Sequence, residues 1–427
     1  MGRSHMAENH RRTVRDLRRG NRAAVLQRLY FQGPMSRQAL GPATGLSSGS
    51  ISNVVTELAA EGLVEEAGHV ESDGGRPRTL LRVAPRAGYL IGIDIGETRV
   101  RAELFDLAMT ELARCELPLT GGARDIDTVI AHTARSIAAV LEESGIAAEA
   151  LTGIGVGVPG IVERTPEGAV VHGQTVGWDA VPLERLLRGA TDLPPATAFH
   201  ISNGTMALGQ AEMWYGGGRG TTDAAIVLFG SGVGACIVTD GQIHGIDHGT
   251  PAEFGHLTVQ VRGRTCRCGS RGCLEAYTGA QAILSRWHEA GGPDPDEATE
   301  EYGISRLLAA ARPEAAGAEA DPTALAILDD TAEYLAAGLA DLVNLFQPQR
   351  ILIGGWAGLQ LGPLVLDTIR ERTRGYALHH PGRHTEITLS TLGPDAITQG
   401  AATLPLNHLL HHTTTAQPPV PAERLPR

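Results

Sequence analysis

His256 is followed ten residues later by Cys266-Arg-Cys268-Gly-Ser-Arg-Gly-Cys273-Leu-Glu275. Three thiolates within eight residues, with one imidazole, are the ligand set of a tetrahedral, closed structural zinc (Zn2+) site. Such a site keeps no open position for a substrate water, so the expected metal shapes the chain and carries out no reaction. Cys115 and Cys236 stand alone in apolar stretches and read as small buried hydrophobes. Clustered cysteines without a secretory signal point to metal binding in a reducing, cytoplasmic setting.

A second chemistry is written in glycines. Tyr89-Leu-Ile-Gly-Ile-Asp94-Ile-Gly96-Glu97-Thr98-Arg99 is an apolar strand entering a tight turn, and Val100–Asp106 reads as the returning strand. Asp-x-Gly-x-Thr in a hairpin suits phosphate: the glycine backbone approaches closely, the aspartate holds magnesium through water and the threonine donates a hydroxyl. Ile226-Val-Leu-Phe-Gly230-Ser-Gly232-Val-Gly234 and Ile351-Leu-Ile-Gly354-Gly355 repeat the strand-to-glycine pattern, and Gly153–Gly160 is a further buried strand with a turn. Three such turns predict the nucleotide cleft of a two-lobed, actin-like ATPase fold of α/β class.

Ahead of these, residues 21–84 carry a different pattern. Apolar residues recur at helical spacing from Asn21 to Phe31, Ser36 can cap a short second helix to about Thr44, Gly45-Leu46 makes a turn, and Ser47 can cap a third. Leu29–Gly33 resembles a protease-tag site but continues the amphipathic pattern, so it is read as native. The third helix would turn Ile51, Val54, Val55 and Leu58 inward. Val64 and the run Thr79–Val83 would be the two strands of a wing. Three helices and a hairpin predict a winged helix-turn-helix. Its candidate base contacts are Ser48, Ser50, Ser52 and Asn53; Arg76 and Arg78 in the wing strip Gly75-Arg-Pro-Arg are either an extended cationic element similar to one that lies in a narrow minor groove or solvated arginines of a hairpin tip, with the Arg11–Arg22 segment as another cationic source. Pro42 should leave the second helix kinked or short.

Charge supports this division. The net charge is -12, and every one of the 36 basic residues is arginine. Residues 1–90 hold 13 arginines against 8 acidic residues, a surplus of 5 that leaves -17 for the rest. A basic module on an acidic body predicts a polyanion, double-stranded DNA, at one end only. No apolar run approaches the roughly 18 residues of a membrane helix, so no membrane partner is expected. Residues 1–20 read as a basic tail in which Met1–Met6 resembles a cloning remnant, 88–412 as the body, and 413–427 as a Pro- and Thr-rich disordered tail. Pro293–Asp296 and Ala311–Asp321 read as surface loops or frayed helix ends.

The order helix-turn-helix, Asp-x-Gly-x-Thr, Val158-Pro-Gly160, Gly230-x-Gly-x-Gly234, Glu253-Phe-Gly-His256 and Cys-x-Cys-Gly-x-x-Gly-Cys-x-Glu275 resembles the ROK family (repressors, open reading frames and sugar kinases), in its transcriptional-regulator branch. The resemblance implies that His256, Cys266, Cys268 and Cys273 bind zinc. It also implies that Glu253, His256 and Glu275 line a sugar site with an Asn-Asp pair ahead of the helix Ala211-Glu-Met-Trp-Tyr-Gly216. Counting back from Glu212 places that pair at Asn203-Gly204: the amide is kept, and glycine stands at the general base. Ser202 replaces the usual glutamate, Ala252 a usual glycine, and Glu97 a usual glycine beside the expected phosphates, where its charge should repel ATP. The residues Asp94, Gly96, Thr98, Gly230, Gly232, Gly234 and Gly354 are then vestigial, His200, Ser202 or a water could stand in for the missing acceptor, and no kinase activity is expected. The implied protein is a DNA-binding repressor, a homodimer or homotetramer, governed by a sugar-like effector. The enzymatic alternative is an ATP-dependent sugar or amino-sugar kinase, and a third reading is a co-regulator acting through a protein partner.

Overall fold

The structure is a computed structural model describing residues 14–72, 75–119, 125–245, 251–294, 299–313 and 319–412. Residues 1–13 of the expected 1–20 tail, the expected tail 413–427, residues 295–296 and 314–318 of the two expected loops, the wing tip Asp73-Gly74 and the Arg76 side chain lie outside the described residues.

The N-terminal module is α1 Val14–Gln32, β1 Met35–Ser36, α2 Arg37–Thr44, α3 Ser48–Ala60, β2 Val64–Ser72 and β3 Gly75–Val83. Capping sets its joints. The Ser36 hydroxyl accepts from the Ala39 N–H at 3.2 Å, and the Ser47 hydroxyl accepts from the Ser50 N–H at 3.2 Å. Gly45 ends α2 in the left-handed region, φ 72°, where a side chain would be strained. Pro42 sits inside α2, which is eight residues long. Ile51, Val54, Val55 and Leu58 are buried as their spacing requires, and β2 and β3 pair antiparallel as a wing.

One expectation is corrected. α1 begins at Val14, seven residues before the apolar periodicity starts, because its polar first turns are held by α3: Arg18 pairs with Glu57 at 2.7 Å, and buried Arg22 donates to both oxygens of Glu61 at 2.9 and 2.5 Å. Arg22 is buried and paired within the module, so it adds little attraction for a polyanion, whereas Arg18 stays on the surface.

Two sheets of the same topology follow. The first lobe contains β4 Tyr89–Ile95, β5 Arg99–Asp106, β6 Glu111–Pro118, α4 Ile126–Ser144, β7 Leu151–Val158, a small hairpin sheet of β8 Ile161–Thr165, β9 Gly168–Gly173 and β10 Trp178–Val181, then α5 Leu183–Ala190, β11 Phe199–Asn203 and α6 Gly204–Trp214. The second contains β12 Ala224–Phe229, β13 Val233–Thr239, β14 Gln242–Ile243, α7 Glu275–Thr278, α8 Ala280–Glu289, α9 Glu300–Ala311, α10 Pro322–Phe346, β15 Arg350–Gly354, α11 Trp356–Tyr376, α12 His379–His384 and β16 Glu386–Leu389. The sheet orders are β11-β7-β4-β5-β6 and β14-β13-β12-β15-β16. In each, an antiparallel meander is extended on its first strand by two parallel strands. The parallel strands are buried on both faces, as their near-continuous apolar runs dictate.

The closing helix α13 Ala396–His412 returns from the second lobe to cover the first sheet and packs on α6. The approach is close because the contact points are glycines: a Cβ on Gly155 would lie 1.7 Å from the Ala401 carbonyl oxygen, and one on Gly400 would lie 1.9 Å from that of Ala207. α6 in turn packs on β13, where Gly209 faces the buried Cys236. The other face of α13 receives α1. Leu26 and Leu29 share one apolar cluster with Leu90, Phe105, Leu406 and Leu410, so the N-terminal module and the first lobe have a common core.

Candidate functional site

A cavity of about 840 Å³ opens between the lobes. It gathers residues far apart in sequence: Asp94, Gly96 and Thr98 from the β4–β5 turn, Asn203 and Gly204 from the β11–α6 junction, Gly230, Gly232 and Gly234 from the β12–β13 turn, and Glu253, His256 and Glu275 from the long connection before α8. The first turn joins strands whose inward side chains fill the lobe core, which fixes Asp94 at a strand end; burial raises its carboxyl to about 6, with Arg101 and Arg99 pulling the other way. Of the glycines expected at phosphate turns, Gly354 does not line the cavity; its neighbour Gly355 does, at φ 81°. Neither His200 nor Ser202 reaches it. His200 instead lies beside His408, ring centroids 5.2 Å apart, and burial lowers its pKa to about 4.

On one wall, His256, Cys266, Cys268 and Cys273 place one donor atom each within 4.8 Å of all the others. The Cys266 sulfur is 3.8 Å from His256 Nδ1, and those of Cys268 and Cys273 are 3.8 Å apart. Four donors at about 2.3 Å around a tetrahedral centre would stand about 3.8 Å from each other, so the residues fit a metal of that size. The loop is folded for it by backbone bonds: the Cys266 N–H donates to the Ser270 carbonyl, and Gly269 and Gly272 both have positive φ. With Nδ1 turned to the thiolates, the other imidazole nitrogen, Nε2, points to Glu253, 3.8 Å away.

The remaining polar groups are engaged more than the sequence suggests. The Asn203 side-chain oxygen caps α6 by accepting from the Thr205 N–H at 2.8 Å, and its nitrogen donates to the Gly160 carbonyl at 2.8 Å. Gly204 is the first residue of α6, and a Cβ there would meet nothing closer than 3.8 Å. Glu275 is buried; one oxygen accepts from the Val233 N–H at 3.0 Å, the other from Arg267 Nε at 2.8 Å.

Arg267 is the residue that sequence reasoning missed. Lying between two of the cysteines, it reaches across the cleft and donates through both terminal nitrogens to Glu97, at 2.5 and 2.8 Å. Burial works against its charge, but the hydrogen-bonded Glu97 and the adjacent Glu275 raise the guanidinium above its ordinary value. The expected repulsive carboxylate at 97 is therefore paired, which corrects the charge argument against a nucleotide. Trp356, also missed, lies over Gly230, its indole nitrogen 3.1 Å from where a Cβ would stand. Of these two, only Trp356 had a sequence signal, a tryptophan directly after Gly354-Gly355.

In the N-terminal module Ser48, Ser52, Asn53 and Arg78 are exposed. Ser50 is partly buried, its hydroxyl 2.9 Å from that of the exposed Ser47 at the helix cap. No helix among the described residues is long and apolar enough to cross a membrane.

A family model described as "ROK family" matches residues 90–408. The xylose repressor of Caldicellulosiruptor bescii is 28% identical over 404 residues, covering 92% of this chain and 97% of that protein. A glucokinase of Halalkalibacterium halodurans is 31% identical over 315 residues, covering 72% of this chain and 92% of that protein. The crystal structure of a ROK family transcriptional regulator, a homolog of the Escherichia coli Mlc protein, superposes with a TM-score of 0.72 at 25% identity, covering 92% of this chain and 97% of the other.

Proposed function

We propose, given that this chain belongs to the ROK family, that it is a DNA-binding transcriptional repressor controlled by a carbohydrate-like effector held between its lobes. The observation that carries this reading is the winged helix-turn-helix sharing one apolar core with the ROK body, in a chain matched over nearly its whole length by a repressor.

The proposed effector contacts are Asn203, Glu253, His256 and Glu275. Glu253 and the outward His256 nitrogen offer hydrogen bonds to vicinal hydroxyls, and Asn203 and Glu275, already engaged within the protein, would add only their remaining N–H and lone pairs. Zinc, held by His256, Cys266, Cys268 and Cys273, would supply a rigid cross-link and a fixed imidazole tautomer. α6 offers a route to the DNA head: Asn203 caps it at the cleft, and about 16 Å further on Trp214 and Tyr215 meet α1. There Tyr30 and Tyr215 share a hydrogen bond at 2.6 Å, and Phe31 sits edge-on to Trp214 at 4.9 Å. Effector binding that tilts α6 would re-aim the head, and in a homodimer would change the spacing of two recognition helices.

Operator binding by the full chain, measured by footprinting and anisotropy with and without sugars, tests the reading. Arg78→Ala is expected to weaken binding on every sequence and to lower the salt slope by about one. Asn53→Ala is expected to relax preference at one base pair by about 1–3 kcal/mol. Unchanged operator affinity, salt slope and base preference in both variants would remove α3 and the wing as the interface.

Kinase activity is expected to be lost. Glycine at 204 can take no proton from a sugar hydroxyl, and a general base contributes about 10²–10⁴-fold. Purified protein with ATP and glucose or xylose should show only trace turnover in a coupled ADP assay. Turnover at ordinary kinase rates would favour the enzymatic reading.

A further inference from the structure

Two glycine-bearing turns from opposite lobes face each other across the cleft, residues 96–98 between β4 and β5 and residues 230–232 between β12 and β13. Turns of this kind let a phosphoryl group approach the backbone because no Cβ shields it, although here the Gly96 and Gly230 N–H groups donate to the Arg99 and Gly232 carbonyls. Here the space between them is taken by the protein. The Arg267 guanidinium rests against Gly232, where a Cβ would come within 2.7 Å of Nη2, and its two terminal nitrogens grip both oxygens of Glu97 in the opposite turn. A planar guanidinium fork fits a carboxylate or a phosphoryl group in the same two-point geometry. Both side chains are largely shielded, Glu97 at 10% and Arg267 at 20% exposure.

We propose that Glu97 is a built-in anion: it occupies, on the Arg267 fork, an anion site of phosphoryl class, and the pair bolts the two lobes together without a nucleotide. The bolt is anchored on the second lobe by the loop that carries the cysteines, since Arg267 lies between Cys266 and Cys268 and its Nε is fixed by Glu275. Further polar contacts cross at the same level. Arg99 of β5 pairs with Glu301 of α9 at 2.5 Å, and the Gln174 side chain donates to the Cys268 carbonyl at 2.8 Å. The Glu97 carboxylate is tethered, so its effective concentration at the fork exceeds that of any free anion. Free phosphate or nucleotide is thereby excluded from the native chain. The inference stands on these contacts and does not depend on the DNA-binding reading.

The test uses the full-length, zinc-loaded chain with inorganic phosphate and pyrophosphate as probes, potassium chloride of equal ionic strength serving as control. Glu97→Ala is expected to bind pyrophosphate at least tenfold more tightly than the native chain by calorimetry. Its radius of gyration in solution scattering should rise without the probe and fall back with it. Adding Arg267→Gln should abolish the gained binding; should that double variant not fold, Arg267→Lys in the Glu97→Ala background keeps the charge but loses the fork and should cut the gain several-fold. Pyrophosphate binding no tighter in Glu97→Ala than in the native chain, or a gain that survives the change at Arg267, overturns the proposal. Effector-free operator binding, measured in parallel, reports separately on the repressor reading.

Discussion

Cys268→Ser removes the response of operator binding to effector while leaving effector-free operator binding close to native. A serine hydroxyl is a poor zinc ligand beside a thiolate, and three remaining donors leave the tetrahedron open. Structural zinc contributes about 10–16 kcal/mol in small isolated domains, where it is most of the folding free energy. In this larger chain the loss falls on the loop it closes. That loop holds Arg267 and leads into Glu275 at the start of α7, and the two share one hydrogen bond and face the cavity. With the metal lost from that cluster, the His256 ring would also lose the partner that would fix Nδ1, and Nε2 would no longer be held toward Glu253. The DNA head is insulated, because its core is built with Leu406 and Leu410 of α13 and not with the zinc loop. Elemental analysis should show zinc falling from about one per chain toward zero, with effector affinity lowered more than tenfold. A variant that loses its zinc yet keeps the full effector response would show that the metal has no part in sensing.

Gly155→Ala destabilises the whole body. The added methyl would stand 1.7 Å from the Ala401 carbonyl oxygen and 2.4 Å from its carbon, both backbone atoms of α13 that no rotamer change can move. Overpacking of side chains costs about 1–3 kcal/mol; a clash with a helix backbone should exceed that, about 3 kcal/mol or more, and lower Tm by several degrees. The neighbouring contacts prevent easy relief, since a Cβ on Gly92 would meet the Thr398 carbonyl at 1.9 Å and one on Gly400 that of Ala207 at 1.9 Å. Shifting α13 to make room for the new methyl would disturb α6 on one side and α1 on the other, so effector response and operator binding should both fall. Gly20→Ala is the control. It lies in α1 with nothing within 4 Å, and alanine there should be neutral or stabilise by up to about 1 kcal/mol. Thermal denaturation followed by circular dichroism separates the two; an unchanged Tm for Gly155→Ala would mean that α13 does not seat on β7 as described.

Much of the architecture was legible because it is specified locally. Ser36, Gly45 and Ser47 mark helix joints by capping chemistry that acts within a few residues, and the spacing of Ile51, Val54, Val55 and Leu58 names a buried face without reference to what it packs on. The strand-to-glycine turns and the His256–Cys273 segment are likewise read from adjacent residues. Asn203 was legible as a residue of the cleft, yet its side chain is committed to capping α6 and to the Gly160 carbonyl.

What the chain order could not show is every contact whose partners are remote. Arg22 with Glu61 is separated by 39 residues, Arg267 with Glu97 by 170, and Tyr30 with Tyr215 by 185. Periodicity and capping carry no information at those distances, because which charges meet depends on how the two lobes close and where α1 lands on α13. The family, the order of the parts, the His and Cys set that could hold a metal and the glycine at 204 could all be read from the linear chain. The folded chain was needed to see that Glu97 is neutralised, that Trp356 overlies the second glycine turn, and that the DNA head is fused to the body by a common core. One cause underlies each case: short-range chemistry is fixed by neighbours along the chain, whereas ion pairing and shared burial are fixed by neighbours in space.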